Sequence, residues 1–148
     1  MVSGRAIPLW WRVIKYSGIK DSMNKIEHRL VVRVVNLMPS GKRLVLTADR
    51  GFGQTEFLGF LLAKDLLFAI RVDKNVRVTP AGGKAFLLSA LAKRLFPGIP
   101  VWYPAISYRD DGAISRISLA AVAAQGSDDP WFLVTNLRSP VRAVSVYA

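Results

Sequence analysis

The sequence predicts an α/β protein in which a parallel strand–helix–strand unit precedes a set of antiparallel strands. Two apolar runs, over 44–48 and 67–72, flank a largely apolar helical segment. Short connections between such elements favour a parallel βαβ unit. From Pro80 onward, glycine and proline divide the chain into short strand-like pieces, a pattern typical of antiparallel β-structure.

Composition fits one folded domain. The chain has 148 residues, of which 51% are hydrophobic and 21% charged, so it has enough apolar material for a core and is not expected to be disordered throughout. The absence of cysteine excludes disulfides, thiolate zinc sites and cysteine nucleophiles. The one histidine, His28, argues against a multi-histidine metal site and a Ser-His-Asp triad.

The charge indicates a polyanionic partner. The chain carries 21 Lys and Arg against 10 Asp and Glu, a formal net charge of +11, which attracts nucleic acid or an anionic membrane surface. The most apolar stretch, 58–70, is too short to span a membrane and contains Lys64 and Asp65. Most of the excess positive charge lies in the first two thirds of the chain.

The first fifty residues predict a strand and a basic helix. Aromatic and β-branched residues over 6–14 indicate a strand. Asp21 or Ser22 is a suitable N-cap for a helix that runs to about Met38. Apolar residues recur along this helix at three- and four-residue steps: Met23, Ile26, Leu30, Val34 and Leu37. Lys25, Arg29 and Arg33 follow a separate face at four-residue steps.

The next segment predicts the parallel unit. The run over 44–48 is bounded by turn residues and is typical of a strand buried on both faces. Asp49 follows it directly, and a glycine-containing turn over 51–53 leads into a helix from Thr55 to about Lys64. The second strand covers 67–72.

The remainder predicts antiparallel strands and a final helix. Asp110-Asp111-Gly112 is a strong hairpin turn between strands over 101–109 and 113–122. A further strand covers 131–135, and Trp131 is expected in the core. Ser139 is a suitable helix cap, with Pro140 at the first helical position.

Asp49 is the candidate site residue of the parallel unit. Open α/β sheets build their sites at the carboxyl ends of strands, where Asp49 is predicted. Asp is also common in turns, where it caps the following helix, here near Gln54 or Thr55. The spacing alone favours the capping role.

Four segments of the chain carry a family resemblance. They read GRAIPLWWRVIK over 4–15, RLVLTADRGFGQTEFLGFL over 43–61, FAIRV over 68–72 and DDPWFLVTNL over 128–137. In this order and at these separations, they resemble the DDE transposases of bacterial insertion sequences, of the insertion-sequence family four type. The resemblance covers nearly the whole chain.

The resemblance implies a ribonuclease-H-like fold, here a partial mixed sheet with an antiparallel β-rich insertion. Residues 1–79 would form the core fragment, 80–137 the insertion and 138–148 the start of the final catalytic helix. Three carboxylates of the family, Asp, Asp and Glu, hold two Mg²⁺ or Mn²⁺ ions that promote phosphodiester displacement. Asp49 matches the second Asp, which makes it a catalytic and metal-ligating residue.

The other two carboxylates of the family do not match residues of this sequence. The family's first Asp precedes the segment that resembles 4–15. Its Glu follows the TNL segment on a helix with a pattern like YxxRWxIE, in which Tyr147 takes the Tyr position. We therefore expect a fragment that is inactive alone and a poor site for divalent ions, because one carboxylate does not supply their oxygen coordination.

DNA contacts are predicted at four basic residues. Arg50 is placed to contact a DNA phosphate beside Asp49, and is equally well explained as a solvated turn residue. Lys25, Arg29 and Arg33 are placed to follow a DNA backbone, although an exposed charged helix face is more often only solvated.

The leading functional hypothesis is a DDE transposase fragment of the bacterial cytoplasm and nucleoid, from an enzyme that cuts and joins transposon-end DNA. Its expected partners are that DNA, an intact transposase or a second copy of the chain, and not a membrane. One alternative is a basic DNA-binding module that inhibits an intact transposase. Another is a non-functional remnant that folds poorly, because a missing neighbour strand leaves an exposed sheet edge.

Overall fold

The computed structural model describes residues 23–109, 114–123 and 129–148. Over these residues the protein is mixed α/β, with four α-helices and one seven-stranded sheet. The chain divides into two compact units, Met1–Lys42 and Arg43–Ala148. The predicted strand over 6–14, the N-cap at Asp21 or Ser22 and the hairpin turn over 110–112 lie outside the described residues.

The first unit contains the predicted helix. Helix α1 spans Met23–Leu37. Ile26, Leu30 and Val34 are half-buried, in agreement with the predicted apolar stripe. Leu37, at the end of that stripe, is 66% exposed, since the helix ends there and Pro39 and Gly41 follow.

The second unit begins with the predicted parallel βαβ unit. Strand β1 spans Val45–Ala48, helix α2 spans Thr55–Ala63 and strand β2 spans Leu67–Arg71. The two strands are parallel, with Val45 opposite Leu67, which confirms the prediction. A short 3-10 turn, Arg50–Phe52, connects β1 to α2.

The prediction that the 44–48 strand is buried on both faces is wrong. Thr47 is exposed, and the other residues of β1 are only half-buried. The sheet order β1-β2-β7-β6-β5-β3-β4 places β1 at an edge, where β2 is its neighbour among the described strands. An edge strand has fewer neighbours to cover it, although its residues are as apolar as those of a central strand.

The remaining strands are antiparallel, as predicted. They are β3 (Arg77–Pro80), β4 (Phe86–Leu87), β5 (Val101–Tyr108), β6 (Ile114–Val122) and β7 (Trp131–Thr135). Helix α3, Leu88–Ala92, was not predicted. Helix α4 spans Pro140–Tyr147, and the predicted cap is confirmed because the Arg142 N–H donates to Ser139 Oγ at 3.3 Å.

The described strands of the predicted core fragment, 1–79, and of the predicted β-rich insertion, 80–137, form one sheet. Strand β7 pairs antiparallel with β2, so that Ile70 lies opposite Val134. The boundary predicted at 79/80 falls inside β3, which pairs with β5. The β-rich region therefore continues the sheet that β1 and β2 begin.

The core of this unit lies on both faces of the central strands. One face carries Ala69, Ala120 and Leu133, against which Leu137 and Ala143 are buried. Phe68 and Ile70 are also fully buried, and because side chains alternate along a strand they cover the opposite face. Helix α4 packs across β1, β2, β6 and β7, so its end lies near the end of β1.

Candidate functional site

Asp49 occupies the predicted position after β1, and its side chain is not used for capping. Asp49 is exposed and lies at the N-cap of the 3-10 turn without a side-chain capping hydrogen bond. The N-cap of α2 is Gln54. The capping role that the spacing favoured is therefore wrong, and the carboxylate faces solvent at the carboxyl end of the strand.

The turn that follows Asp49 is fixed by close contacts with β2 and β5. The Phe52 N–H donates to the Asp49 carbonyl at 3.0 Å. The Gly53 carbonyl accepts hydrogen bonds from Tyr108 Oη at 2.7 Å and from Arg109 Nη2 at 3.1 Å. A Cβ at Gly53 would lie only 2.9 Å from Val72 Cγ1. Glycine is therefore required there, and Asp49 stands on a rigid support.

Arg50 is paired within the chain. Its guanidinium forms a hydrogen-bonded ion pair with the Asp129 carboxylate, and the same carboxylate accepts from Arg71 Nη2 at 2.8 Å. The hydrogen bond with Asp129 raises the pKa of Arg50, and the charges of Asp129, Asp49 and Asp73 add to this. Its predicted contact with DNA stays a prediction.

Helix α4 packs on β1, and its end lies within electrostatic range of Asp49. Burial raises the pKa of Tyr147, and the negative charge of Asp49 raises it further, while Arg71 and Arg50 lower it. Such a charge effect acts over short distances at a protein surface. The Tyr147 ring packs edge-on against Trp131, with centroids 5.2 Å apart. The sequence predicts Trp131 in the core. In the structure it is half-buried and packs against the core cluster.

The TNL segment holds the end of β7 against β2. The Asn136 side chain accepts from the Phe68 N–H at 2.9 Å and donates to the Leu66 carbonyl at 2.8 Å. Thr135 Oγ1 donates to the Phe68 carbonyl and accepts from the Leu137 N–H. These side chains replace backbone pairing where the ladder ends, and so they orient the start of α4.

Three predicted DNA contacts share one face of α1. Lys25, Arg29 and Arg33 are all exposed, and their four-residue spacing puts them on one side of the helix. They belong to the first unit, whereas Asp49 and Arg50 belong to the second. DNA binding by these residues stays a prediction.

The residues that the structure describes do not form a complete metal centre. Nowhere in 23–109, 114–123 or 129–148 do three His, Cys, Asp or Glu side chains cluster closely enough to hold a metal ion. Asp129 pairs with Arg50, the residue that follows Asp49 in the chain, and with Arg71. Its carboxylate is therefore already bound to two guanidinium groups. Asp49 therefore offers one carboxylate, and a pair of divalent ions needs several anionic ligands.

Two comparisons, with family models and with curated proteins, bear on the family resemblance. No family model matches this chain. No curated protein matches it significantly either. The family resemblance therefore rests on the residues of the four sequence segments.

No helix in the described part of the chain is long and apolar enough to cross a membrane.

Sequence reasoning missed the residues that surround Asp49 in space. Asp129 lies 79 and 58 positions from Arg50 and Arg71, and Tyr108 and Arg109 lie 55 and 56 positions from Gly53. The sequence offered one signal for these residues: Arg71 and Asp129 both lie in segments that resemble the transposase family. Their pairing depends on the contact of β2 with β7, which no local pattern reveals.

Proposed function

We propose that this chain carries the central part of the catalytic core of a DDE transposase, with a ribonuclease-H-like fold. Asp49 is its catalytic, metal-ligating carboxylate, and transposon-end DNA is its substrate. The observation that carries the proposal is that α4 packs on β1, the strand that Asp49 directly follows, and that α4 ends at Tyr147. Asp49 contributes to the raised pKa of Tyr147, and Tyr147 takes the Tyr position of the family's glutamate helix.

The sheet supplies a second, independent support. The resemblance places the second catalytic Asp at the end of a strand that pairs with the strand of the first catalytic Asp. In the structure, Asp49 ends β1, and β1 is the last strand of the described sheet. Among the described strands, β1 therefore has a neighbour on one side only, and its other side is where the resemblance requires a further strand. The parallel pairing with β2 also directs Asp49 to the edge where α/β sites form.

The chemistry assigned to this chain is limited to what its residues supply. In the family, two Mg²⁺ or Mn²⁺ ions activate the attacking oxygen and stabilise the leaving oxygen of the phosphodiester. Asp49 provides one anionic ligand from a support fixed by Tyr108 and Arg109. Arg50 and Arg71 place positive charge nearby, which favours the approach of a phosphate backbone.

The test joins this chain to the segments that the resemblance requires. The genomic DNA on both sides is expected to encode, in some frame, a strand ending in Asp before it and a helix bearing Glu after it. A protein that combines the three segments is expected to cleave and join the element's terminal DNA with Mg²⁺ or Mn²⁺. Asp49→Asn should abolish this activity, while Asp65→Asn, an exposed control, should retain it.

Two results would contradict the proposal. One is flanking DNA without either segment. The other is full activity of the combined protein after Asp49→Asn, because a metal-ligating carboxylate does not tolerate an amide at this position.

A DNA-binding module is the second candidate function. The observation that favours it is the exposure of Lys25, Arg29 and Arg33 on one face of α1. Together with the net charge of +11, this face would bind a phosphate backbone without reading base sequence. Such a module would compete with an intact transposase for DNA.

A further inference from the structure

An open cleft lies beside the end of β5, in the second unit. Its volume is about 500 Å³, and its lining residues come from the β2–β3 connection and from the ends of three strands: Asp73, Asn75, Val76, Arg77, Leu87 and Arg109. This volume is in the range of small-molecule sites. The lining combines two guanidinium groups, one carboxylate, one amide and two apolar side chains.

Arg109 is held in a fixed position at this cleft. Its Nη2 donates to the Gly53 carbonyl at 3.1 Å, and its guanidinium lies 5.5 Å from the centre of the Tyr108 ring. Its Nε is buried and has no hydrogen-bond partner in the part of the chain that the structure describes. Among the described residues, no carboxylate forms an ion pair with Arg109. The result is an oriented positive charge that retains donor capacity.

The backbone of Arg109 is strained. Its φ is +61°, in the left-handed region that is unfavourable for a residue with a Cβ. The Arg109 N–H donates to the Arg77 carbonyl at 2.9 Å, so the strained residue is tied to the neighbouring strand. Strain of this kind is common where a side chain is oriented for a ligand.

The other lining residues supply a second guanidinium, an apolar wall and one carboxylate, whose charge opposes an anion. Arg77 is exposed and adjoins Arg109 through that backbone hydrogen bond. The Asp73 carboxylate accepts from the Asn75 N–H at 2.8 Å, and this bond satisfies part of its acceptor capacity. Leu87, which is 40% exposed, and Val76 offer an apolar wall.

We propose that this cleft binds the phosphate group of a nucleotide. Arg77 and Arg109 supply planar donor groups that match phosphate oxygens, and the wall of Val76 and Leu87 accommodates the base. The ligand is either a free nucleotide or one nucleotide of a single strand, since both present the same phosphate chemistry. The proposal goes beyond the transposase assignment, because it requires neither Asp49 nor a metal ion.

The test is a titration of the whole chain followed by amide chemical shifts in NMR. The probes are dAMP, deoxyadenosine, inorganic phosphate and a short oligothymidylate, all at low salt. We expect dAMP to shift the amides of Asn75, Arg77, Leu87 and Arg109, and deoxyadenosine to leave them unchanged. If the oligonucleotide binds more tightly than dAMP, the ligand is a nucleotide within single-stranded nucleic acid. If dAMP binds more tightly, the ligand is a free nucleotide.

Variants separate this site from general charge effects. Arg77→Gln and Arg109→Lys are each expected to weaken dAMP binding about tenfold, the value of one charged hydrogen bond. Arg94→Gln, which removes one exposed charge outside the cleft, is the control and should bind normally. Asp49→Asn should also bind normally, so that failure of the transposase proposal and failure of this one are distinguishable.

Three outcomes would overturn the proposal. The first is the absence of dAMP-induced shifts at the cleft. The second is equal weakening by Arg77→Gln, Arg109→Lys and Arg94→Gln. The third is binding of deoxyadenosine as tight as that of dAMP. Because Arg77 is exposed, Arg77→Gln is expected to stay folded and to give a clear answer even if Arg109→Lys does not.

Discussion

Gly53 shows how one residue positions the candidate site. Its carbonyl accepts from Tyr108 and Arg109, and the space where a Cβ would lie is already occupied by Val72 Cγ1 and Tyr108 Oη. The turn from Asp49 to Gly53 therefore cannot move away from β5 without losing two hydrogen bonds.

Gly53→Ala is expected to destabilise the protein by about 1–3 kcal/mol, the usual cost of overpacking. The added Cβ would lie 2.9 Å from Val72 Cγ1 and 3.2 Å from Tyr108 Oη, and Val72 is buried. Denaturant unfolding measures the change. Gly51→Ala is the matched control, because a Cβ there meets nothing within 4 Å, and it should be close to neutral. Equal stabilities of the two variants would contradict the close packing.

The raised pKa of Tyr108 predicts that the protein loses stability at alkaline pH. Burial raises the pKa of Tyr108 above its ordinary value, an effect that Arg109 partly opposes. An unfolded chain releases this proton near pH ~10, whereas the folded chain retains it to higher pH. The folded state then binds more protons, so the free energy of unfolding decreases as the pH rises from the ordinary pKa to the raised one.

Tyr108→Phe should reduce this alkaline decrease. At neutral pH it should cost about 1 kcal/mol, because the hydrogen bond to Gly53 is lost. Unfolding curves measured from neutral pH upward would show both effects. An alkaline slope identical to that of the unchanged chain would show that Tyr108 is not responsible.

At the scale of elements, the side chain of Asn136 completes the pairing of β2 with β7. Backbone ladder bonds end at Ala69 and Thr135, and the Asn136 amide then bonds both the Phe68 N–H and the Leu66 carbonyl. The same segment leads into α4 through Ser139. The end of the ladder therefore determines where α4 begins and where Tyr147 lies.

Asn136→Ala is expected to cost about 1–3 kcal/mol, because it leaves two backbone groups without partners. Thermal unfolding followed by circular dichroism measures the loss. Asn36→Ala, at an exposed position of α1, is the control and should change stability by only a few tenths of a kcal/mol. A neutral effect of Asn136→Ala would show that solvent satisfies these groups equally well.

At the scale of the whole molecule, charge predicts DNA binding that weakens steeply with salt. Replacing Lys25, Arg29 and Arg33 by Gln should reduce the slope of log affinity against log salt by about 2–3, since each lost phosphate contact removes about 0.9. Fluorescence anisotropy with random-sequence duplex DNA measures the slope. The matched control replaces Lys93, Arg94 and Arg138, which are also exposed. Equal effects of the two triple variants would remove the α1 face as a DNA-binding surface.

The edge position of β1 is also a property of the whole sheet. As a sequence, 44–48 is as apolar as a central strand, and burial on both faces was predicted for it. Among the described strands it is an edge, because β2 is the one strand that pairs with it. An open side of this kind accepts a further strand, whether from the same protein or from another copy.

Local sequence signals predicted most of the helices and strands. Apolar periodicity, caps and turn residues are local signals, and they predicted α1, α2, β1, β2, β7, the β5–β6 pair and α4 within a few residues. They also placed Asp49 at the end of a strand. Helix α3 was missed because it is only five residues long, too short for a periodic pattern.

The contacts that hold the turn after Asp49 depend on long-range strand pairing. The pairing of β2 with β7 brings Asp129 to Arg50 and Arg71, and the end of β5 brings Tyr108 and Arg109 to Gly53. These contacts join residues that are far apart in the chain, so their free energy depends on strand order and register. A local sequence pattern indicates which residues form a strand. Which strand lies next to it depends on how the apolar side chains of the whole sheet are buried.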